Sequence, residues 1–396
     1  MLEQLNHTSS RPSRSPFAEL REREFAALAG TTYLNSASIG PLPARAVRVL
    51  DELNRKRAAP YLLPDPDLFA IFAESRRLIA RLLNASVEEI ALATNTSYGL
   101  NIAALALPLE PGDVVVVSDR EFPANVYPWL HLRERGIEVE LAPVTAEGWP
   151  DEARLLERVT DPRVRLLAVS LVQFSNGYAV DLGALSRATR ASGTWLVVDA
   201  IQGLGQLPVD LQATPVDILS SGGQKWLLSP WGSGFTYVRR ELIEQLRPPI
   251  AGWMAFEGTD DFSRLTAYST EFRHDARRFE TITLPYQDFA GMNASLELIL
   301  EGDPAAIGAH ARACHEPLLA WARARGVRVT SPTGAHGSAI LCLAPPDAAA
   351  AHARLREAGI YCSLREGSLR FSPHLFNTVE QMVGVVDVLD AAGRGR

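Results

Sequence analysis

The chain has 396 residues, 47% of them hydrophobic, which is enough for two domains and a large core. Its 46 acidic residues outnumber its 39 basic ones, and the formal net charge of −7 argues against nucleic acids or anionic membranes as main partners. Three distant cysteines (Cys314, Cys342 and Cys362) form neither a disulfide framework nor a metal-ligand cluster, and no segment is apolar over a bilayer-spanning length. We therefore expect a cytoplasmic protein without a metal site.

The first part of the chain predicts a terminal arm followed by helices. Residues 1–16 are polar and rich in Ser, Arg and Pro, which is typical of a loose arm. A short helix ending at Gly30 follows, and then a strand and a loop in the segment TTYLNSASIGPLP. Apolar residues at helical spacing predict two helices within residues 44–83, separated by the proline-rich segment YLLPDPD.

Strand and helix patterns alternate from about residue 88 to residue 240. The predicted helices cover residues 97–107, 123–134, 150–158 and 182–192. The predicted strands are EIALAT, VVVVS, IEVELAPV, VRLLAVSLV, TWLVVDA, VDILS and GFTYV. Because most of these runs are apolar without alternation, they fit a mainly parallel sheet buried on both faces, and hence a doubly wound α/β fold. Such a sheet binds its ligands beyond the carboxyl ends of the strands.

The last third of the chain predicts a smaller domain. Residues 241–285 form a long irregular segment, which in a compact protein is more often functional than idle. The helices predicted after it lie near residues 287–301, 304–325, 346–358 and 377–391, and the strands are VRVTS, GSAILCL, IYCSL and SLRFS. We expect a large α/β domain over residues 44–285, and a small α+β domain formed by residues 1–43 and 286–396.

Two charged residues within residues 195–234 suggest a site. Asp199 ends an apolar strand, and Lys225 lies on a glycine-rich turn after the next strand. A carboxylate can keep a pyridinium nitrogen protonated, and a lysine amine can form a Schiff base with an aldehyde. Thr96 and Ser97 begin a helix, where free N–H groups and the helix dipole favour an anion. Together these features suggest a charged aromatic cofactor.

The surrounding sequence resembles the class V aminotransferase branch of the fold-type I pyridoxal 5'-phosphate (PLP) enzymes. That branch includes cysteine desulfurases, kynureninases, isopenicillin N epimerase and cystine C–S lyases. The matching segments occur in the family's order from about residue 33 to residue 385, and they are LNSASIGPLP, EFPANVYPW, VDAIQGLGQLPVD, SGGQKWLLSPWGSGF and LRFSPHLFNT. The resemblance implies PLP as cofactor and a homodimer with shared active sites.

The resemblance also implies roles for individual residues. Lys225 would hold PLP as a Schiff base and move protons at the substrate Cα. Asp199 would pair with the pyridine nitrogen, and Phe122 would stack on the ring. Thr96, Ser97 and Gln224 would contact the phosphate, and Thr283 would contact the phosphate of the neighbouring subunit. Gln202 would contact the phenolic oxygen of PLP. Asn176 would lie near the phenolic oxygen and the substrate carboxylate, and Arg370 would bind that carboxylate. Trp253 would line the substrate pocket, or else pack the irregular segment.

Several departures from the family's patterns narrow the chemistry. Desulfurases use a mobile nucleophilic cysteine, whereas Cys362 lies in an apparent strand and is expected to be buried. Phe122 stands where desulfurases carry a histidine that takes part in proton transfer. Kynureninases place tyrosine immediately before the lysine, where this chain has Gln224. Persulfide chemistry and kynureninase chemistry are therefore both disfavoured.

We expect an enzyme that acts on an amino acid or an amino-acid conjugate through an external aldimine and a quinonoid. The segments QKW and FETITLPYQDFAG resemble cystine-lyase-like members and favour C–S β-elimination with loss of the amino group. Transamination is the main alternative, followed by epimerisation. A non-catalytic binding protein of the same fold is disfavoured by the intact set of site residues. The irregular segment over residues 250–285 suggests a roomy pocket, of a kind suited to secondary metabolism.

Overall fold

The computed structural model describes residues 16–391. The helices and strands follow in the order α1 (Ala18–Glu24), β1 (Thr32–Tyr33), α2 (Ala44–Arg57), α3 (Asp65–Leu83), β2 (Ile90–Ala93), α4 (Thr96–Ala106), β3 (Val114–Ser118), α5 (Tyr127–His131), β4 (Glu138–Ala142), α6 (Glu152–Arg158), β5 (Val164–Ser170), α7 (Leu182–Ser192), β6 (Trp195–Asp199), β7 (Ile218–Gly222), β8 (Gly234–Val238), α8 (Arg240–Ile243), α9 (Tyr286–Gly302), α10 (Pro304–Ala313), α11 (Glu316–Arg325), β9 (Arg328–Val329), β10 (Leu341–Ala344), α12 (Ala348–Glu357), β11 (Ile360–Tyr361), β12 (Ser363–Arg365), β13 (Ser368–Phe371) and α13 (Val379–Ala391). The loose arm predicted for residues 1–16 lies, except for Pro16, outside the described residues.

A seven-stranded sheet forms the centre of the molecule, with strand order β2-β8-β7-β6-β5-β3-β4. The pairs from β7 to β4 are parallel, whereas β8 runs antiparallel to both of its neighbours. The carboxyl ends of β3, β5, β6 and β7 therefore lie along the same edge, where such sheets bind ligands.

Helices cover both faces of this sheet. Successive residues of one strand belong to different apolar clusters. Val198 belongs to the cluster that includes residues of α3, α7 and α9, and Val197 belongs to the cluster that includes residues of α4 and α5. A sheet covered on both faces needs strands that are apolar throughout, which is the pattern that the sequence shows. The predicted doubly wound, mainly parallel α/β fold is confirmed.

The C-terminal part forms a second, smaller sheet. Strands β12, β13, β10 and β9 form an antiparallel sheet in that order, and β1 pairs in parallel with β11. The N-terminal segment thus joins the C-terminal one, as Asn35 also bridges to Ser372. Helix α9 lies against α2 and α3. The division of the chain at residue 285 stays a prediction.

Two predicted helices are wrong in extent, and proline explains both. The helix expected over residues 304–325 is divided into α10 and α11, because the ring of Pro317 fits only the first turn of a new helix. The helix expected over residues 123–134 is reduced to α5 between two short 3-10 turns, since prolines stand at 123 and 128. No helix within residues 16–391 is long and apolar enough to cross a membrane.

Candidate active site

Lys225 lies on the turn between β7 and β8, at the ligand-binding edge of the large sheet. The Gly223 N–H donates to the Ser233 carbonyl at 2.8 Å and fixes the base of the turn. The segment before α2 packs onto it, because the Gly40 N–H donates to the Gln224 carbonyl at 2.8 Å. A Cβ at Gly40 would lie 2.1 Å from the Lys225 carbonyl oxygen, so this approach requires glycine. The turn therefore presents a half-buried lysine in a fixed position.

Asp199 ends β6, in the middle of the parallel strands. Its neighbours in register are Ser170 of β5 and Ser220 of β7. The carboxyl is buried and accepts a hydrogen bond from the Ile201 N–H at 3.0 Å. Burial raises the pKa of Asp199 to about 6, although that hydrogen bond and the Lys225 ammonium lower it. Burial disfavours the negative charge of Asp199. A ligand that places a positive charge or a proton beside this carboxyl would therefore be bound favourably.

The amine of Lys225 is less basic than an ordinary lysine. Burial lowers its pKa to about 8, Asp199 opposes the shift, and Arg370 and Arg365 add to it. The Nζ atom lies 5.4 Å from the centroid of the Phe122 ring. Because only the neutral amine is a nucleophile, the lowered pKa makes Lys225 suitable for attack on an aldehyde. Phe122, which is 43% exposed, stands beside that amine as an open aromatic surface.

The start of α4 lies beside the lysine turn. Asn95 caps this helix, with Oδ1 accepting a backbone hydrogen bond from its first turn at 3.0 Å. The buried Thr96 hydroxyl accepts a hydrogen bond from the Gly222 N–H at 2.8 Å, while Ser97 is exposed. The Gln224 side chain folds over the same glycine, since a Cβ on Gly222 would lie 2.4 Å from its Oε1. Thr96, Ser97 and Gln224 are therefore brought to one helix N-terminus, which favours an anion.

Arg370 is a buried guanidinium in the middle of β13. Its Nη1 donates to the Phe174 carbonyl at 2.7 Å, and its Nη2 donates to the Ser38 hydroxyl at 2.7 Å. Both partners are neutral, and the buried Nε has no hydrogen-bond partner among the described residues. Burial lowers the pKa of Arg370 to about 10. A buried cation without a carboxylate is unstable by itself, so this site favours an anionic ligand.

The two predicted amide contacts have further partners in the protein. Gln202 donates from Nε2 to the Ala37 carbonyl at 2.9 Å and accepts from the Trp226 indole at 2.9 Å. Asn176 donates from Nδ2 to the Gly148 carbonyl at 3.0 Å and accepts from the Tyr178 N–H at 3.0 Å. Since an amide carries two N–H groups, each side chain keeps one for a ligand. Their ligand contacts stay predictions.

Two other predicted residues lie outside this group. Thr283 is exposed on the loop before α9, and the half-exposed Trp253 packs its ring against Phe262 at 6.0 Å. In the described chain no hydrogen bond or ring contact joins either residue to Lys225 or Arg370. Their contacts with a ligand stay predictions.

Two arginines of the charged run EFRHDARRFE, Arg273 and Arg278, are buried, although a run of charged residues is more often a solvated surface. Arg273 donates to the Met254 carbonyl at 2.6 Å and to Asp260 at 2.9 Å. Arg278 is also buried and donates to the Ile243 carbonyl at 2.8 Å. These arginines fix the irregular segment by satisfying backbone carbonyls that no strand or helix satisfies.

A family model described as Aminotransferase class-V matches residues 33–374, which is most of the chain. The chain belongs to the class V aminotransferase family. It is therefore a PLP-dependent enzyme, and the resemblance drawn from the motifs is confirmed.

Comparisons with individual proteins agree with this family. The chain is 30% identical over 381 residues to a probable cysteine desulfurase of Pseudomonas putida, covering 91% of this chain and 93% of the relative. Its fold is similar to the apo structure of a cysteine desulfurase from Thermococcus onnurineus NA1, with a TM-score of 0.85, 21% identity and coverage of 98% and 100%. It is also similar to the cystine C–S lyase C-DES in complex with its product cysteine persulfide, with a TM-score of 0.84, 23% identity and coverage of 92% and 99%. At these identities the structural likeness shows the shared fold.

The cysteines of this class V aminotransferase are not arranged for nucleophilic attack. Cys314, Cys342 and Cys362 are all free and buried. Burial raises the pKa of Cys362 to about 12, so its thiol stays protonated. Within residues 16–391 no group of three or more His, Cys, Asp or Glu side chains is placed to hold a metal ion.

Several residues that support this site escaped the sequence analysis. Ser38 holds Arg370, and the Trp226 indole holds Gln202. His374 donates to the Trp226 carbonyl at 3.1 Å and stacks on its ring, with burial lowering its pKa to about 4. The motifs contained Trp226 and His374, but nothing in the sequence distinguished a side chain behind the site from one inside it.

Proposed function

We propose that this PLP-dependent enzyme is a lyase that cleaves a C–S bond in an amino acid or an amino-acid conjugate by β-elimination, with loss of the amino group. The observation that carries the proposal is the combination of one amine of low pKa, Lys225, with buried and protonated cysteine thiols. β-Elimination needs a base and an electron sink, whereas desulfuration also needs a thiolate. An unusual substrate from secondary metabolism would suit the irregular segment over residues 250–285.

The side chains present fit PLP and an amino acid. Asp199 offers a buried carboxyl for the pyridine nitrogen, and Phe122 offers a ring face beside Lys225. The N-terminus of α4, with Thr96, Ser97 and Gln224, suits the phosphate. Arg370 supplies the strongest support, because its unpartnered Nε and its neutral neighbours suit a carboxylate.

PLP, when bound, supplies a π system that takes up the electron pair left when a bond to Cα breaks. In the proposed reaction Arg370 binds the substrate carboxylate and so fixes which Cα bond faces the ring. The neutral Lys225 amine removes the Cα proton and then returns a proton to the product. Asp199 keeps a proton on the ring nitrogen. No second catalytic base is required.

The related reactions are less well supported. An epimerase returns the proton on the face of Cα opposite to the lysine, and Phe122, the expected ring-stacking residue, has no proton to give. A desulfurase requires an accessible thiolate, whereas Cys362 is buried between β11 and β12. Transamination uses the same Lys225 and Arg370 and is the alternative that an assay must distinguish.

The proposal is tested by spectroscopy and product analysis. We expect an absorbance band at about 420 nm in the purified protein, and its loss in the Lys225→Ala variant. Incubation with cysteine conjugates should release pyruvate, ammonia and a thiol. The Cys362→Ala variant, a control that removes a buried thiol, should keep this activity. Formation of pyridoxamine phosphate and a keto acid would show transamination and would contradict the lyase proposal.

We also propose that the enzyme works in the cytoplasm as a homodimer with shared sites. Large apolar side chains are exposed on the segments of the site, among them Trp231, which is 69% exposed. Exposed apolar surface of this kind supports an interface. Thr283 would then contact the phosphate held by the neighbouring subunit. Free cysteines are compatible with a reducing compartment.

Mixed dimers test the sharing of sites. Lys225→Ala removes the amine, and Thr283→Glu places a negative charge where the phosphate is expected, so each variant should be inactive alone. If Thr283 acts across the interface, mixing the two variants should restore activity, because one site of each mixed dimer is then intact. Light scattering of the wild type should give the mass of a dimer. A monomer, or no recovery of activity on mixing, would exclude the shared site.

A further inference from the structure

Glu121 is a buried carboxyl that the proposed reaction does not use. It precedes Phe122 in the chain and is 6% exposed. Its Oε1 accepts hydrogen bonds from the Ser170 N–H at 2.8 Å and from the Gln173 side-chain amide at 2.6 Å. Its Oε2 is in hydrogen-bond contact with the Ser170 hydroxyl. All of these partners are neutral, so a negative charge on Glu121 would be uncompensated.

The first segment that Glu121 holds is the one that carries Phe122. Arg120 has a φ of 60°, a left-handed conformation that is unfavourable for residues with a side chain. This turn directs Glu121 into the protein and leaves the ring of Phe122 exposed beside Lys225. The hydrogen bonds of Glu121 keep this otherwise unfavourable turn in place.

The second segment is the end of β5. Ser170 is the last residue of that strand and pairs in register with Asp199. Since both the N–H and the hydroxyl of Ser170 bind Glu121, the carboxyl connects the Phe122 segment to the strand beside Asp199.

The third segment is the loop after β5. Gln173, which binds Glu121, precedes Phe174, whose carbonyl accepts the hydrogen bond from Arg370 at 2.7 Å. The Phe174 ring also packs edge-on against Phe122, with the centroids 5.2 Å apart. Through these contacts one carboxyl is connected to the segment of Phe122 and, by way of the Phe174 loop, to Arg370.

The surroundings of Glu121 favour its protonated form. Burial raises its pKa to about 7, the hydrogen bonds from Ser170 and Gln173 lower it, and the negative charge of Asp199 raises it. Asp199 is the charged group that acts on it. Two donors already point at Oε1, so a proton on Oε2 can be donated to the Ser170 hydroxyl.

We propose that Glu121 is a positioning residue whose carboxyl joins the Phe122 segment, the end of β5 and the Phe174 loop, and so sets the positions of Phe122 and Arg370 relative to Lys225. This inference rests on the proposed function, in which PLP lies against Phe122 and the substrate carboxylate binds Arg370. It predicts that the hydrogen bonds of Glu121, and not its charge, are what the site needs.

Two substitutions separate hydrogen bonding from charge. Glu121→Gln keeps the size of the side chain, an oxygen for both donors and an N–H for the Ser170 hydroxyl. Glu121→Ala removes all of these. The matched control is Glu89→Ala, because Glu89 is also 6% exposed and accepts hydrogen bonds from Arg240 and Tyr237, but lies at the start of β2, at the opposite edge of the sheet.

The readouts are the dissociation constant of PLP, measured by absorbance on the reconstituted apoprotein, and the affinity for L-alanine, measured by its effect on the same band. Glu121→Gln should change both by less than about threefold, and Glu121→Ala should weaken both by about 10-fold or more, because the Phe122 segment and the Phe174 loop then lose the hydrogen bonds that connect them. Glu89→Ala should lower the melting temperature and leave both affinities unchanged.

The possible failures can be told apart. A wild-type protein without the band would overturn the use of PLP and this inference with it. A normal wild-type band with unchanged affinities in Glu121→Ala would overturn the inference alone. So would a Glu121→Gln protein that is as weak as Glu121→Ala, since charge would then be the requirement. If Glu121→Ala does not fold, Glu121→Asp, which keeps a carboxyl group but is too short for both Ser170 and Gln173, should show the same losses, and wild-type affinities in it would overturn the inference.

Discussion

The indole of Trp226 donates a hydrogen bond to Gln202 Oε1 at 2.9 Å, with both side chains buried. Trp226 directly follows Lys225 in the chain, and Gln202 lies just after Asp199. The hydrogen bond therefore connects the turn that holds the amine to the strand end that holds the carboxyl. The separation of these two charged groups depends on an indole behind them.

Trp226→Phe should loosen this connection. The change leaves Gln202 Oε1 buried without its donor, which costs about 1–3 kcal/mol. We expect a lower urea midpoint and weaker PLP binding, measured by titration of the apoprotein. Trp321→Phe is the control, because that indole donates to Asp390 on α13 at 2.7 Å, away from the site. Equal losses of PLP affinity in both variants would show that the Trp226 bond is not specific to the site.

Arg370→Lys should act mainly on substrate binding. A lysine cannot make the two parallel hydrogen bonds of a guanidinium, so we expect the KM for the amino acid to rise about 100-fold with a smaller change in kcat. The absorbance of bound PLP should stay unchanged. Arg365→Lys, at an exposed position on β12, should leave KM as in the wild type. A PLP affinity that falls with the substrate affinity would point to a general disturbance instead.

Uptake of PLP by the apoprotein should follow the titration of Lys225. The pKa of Lys225 is lowered to about 8, and the neutral form is the reactive one, so the rate of uptake should rise with pH and level off above about pH 8. Asp199 raises the pKa of Lys225, and Asp199→Asn should therefore move this profile to lower pH. Stopped-flow absorbance measures both profiles. A plateau reached only near the ordinary lysine pKa would contradict the burial of the amine.

Glu121→Gln should change how stability depends on pH. Burial raises the pKa of Glu121 from 4.5 to about 7, so the folded protein binds this proton more tightly than the unfolded chain does. The stabilisation is complete below the unfolded pKa and is lost as the pH rises through the folded pKa. From about pH 5 to about pH 8 the variant should therefore gain stability relative to the wild type, by at most about 3 kcal/mol.

Urea unfolding of the two apoproteins measures this difference, since bound PLP would add its own pH dependence. The sign of the change is the decisive result. A difference in the free energy of unfolding that does not vary with pH would show that Glu121 titrates alike in the folded and unfolded chains.

The sequence predicted the fold because its strands are apolar throughout and lie between helical patterns. The positions of Asp199, Lys225 and Thr96 were equally predictable, since Asp199 ends a strand, Lys225 lies on the glycine-rich turn after the next strand and Thr96 begins a helix. The extents of α5, α10 and α11 could not be predicted, because the helical periodicity continues across the prolines that divide those regions.

Side-chain partners were harder to predict than positions. Gln202 was expected to meet the cofactor, yet two protein groups already bind its amide. Glu121 stood beside Phe122 in a quoted motif, but its importance comes from Ser170 and Gln173, which lie 49 and 52 residues away in the chain. The burial of Arg273 and Arg278 was also not predictable, because a charge pattern carries no information about which carbonyls lack donors.

The short pairing of β1 with β11 and the bridge from Asn35 to Ser372 have a consequence for biosynthesis. The segment that carries Ser38 is synthesised before its partner Arg370, which follows 332 residues later. The seven-stranded sheet can fold during translation, because all of its strands precede residue 239. A nascent chain stopped before β13 would present the lysine and the aspartate without the arginine. Completion of the proposed substrate-binding corner therefore depends on a segment that is translated after the whole seven-stranded sheet.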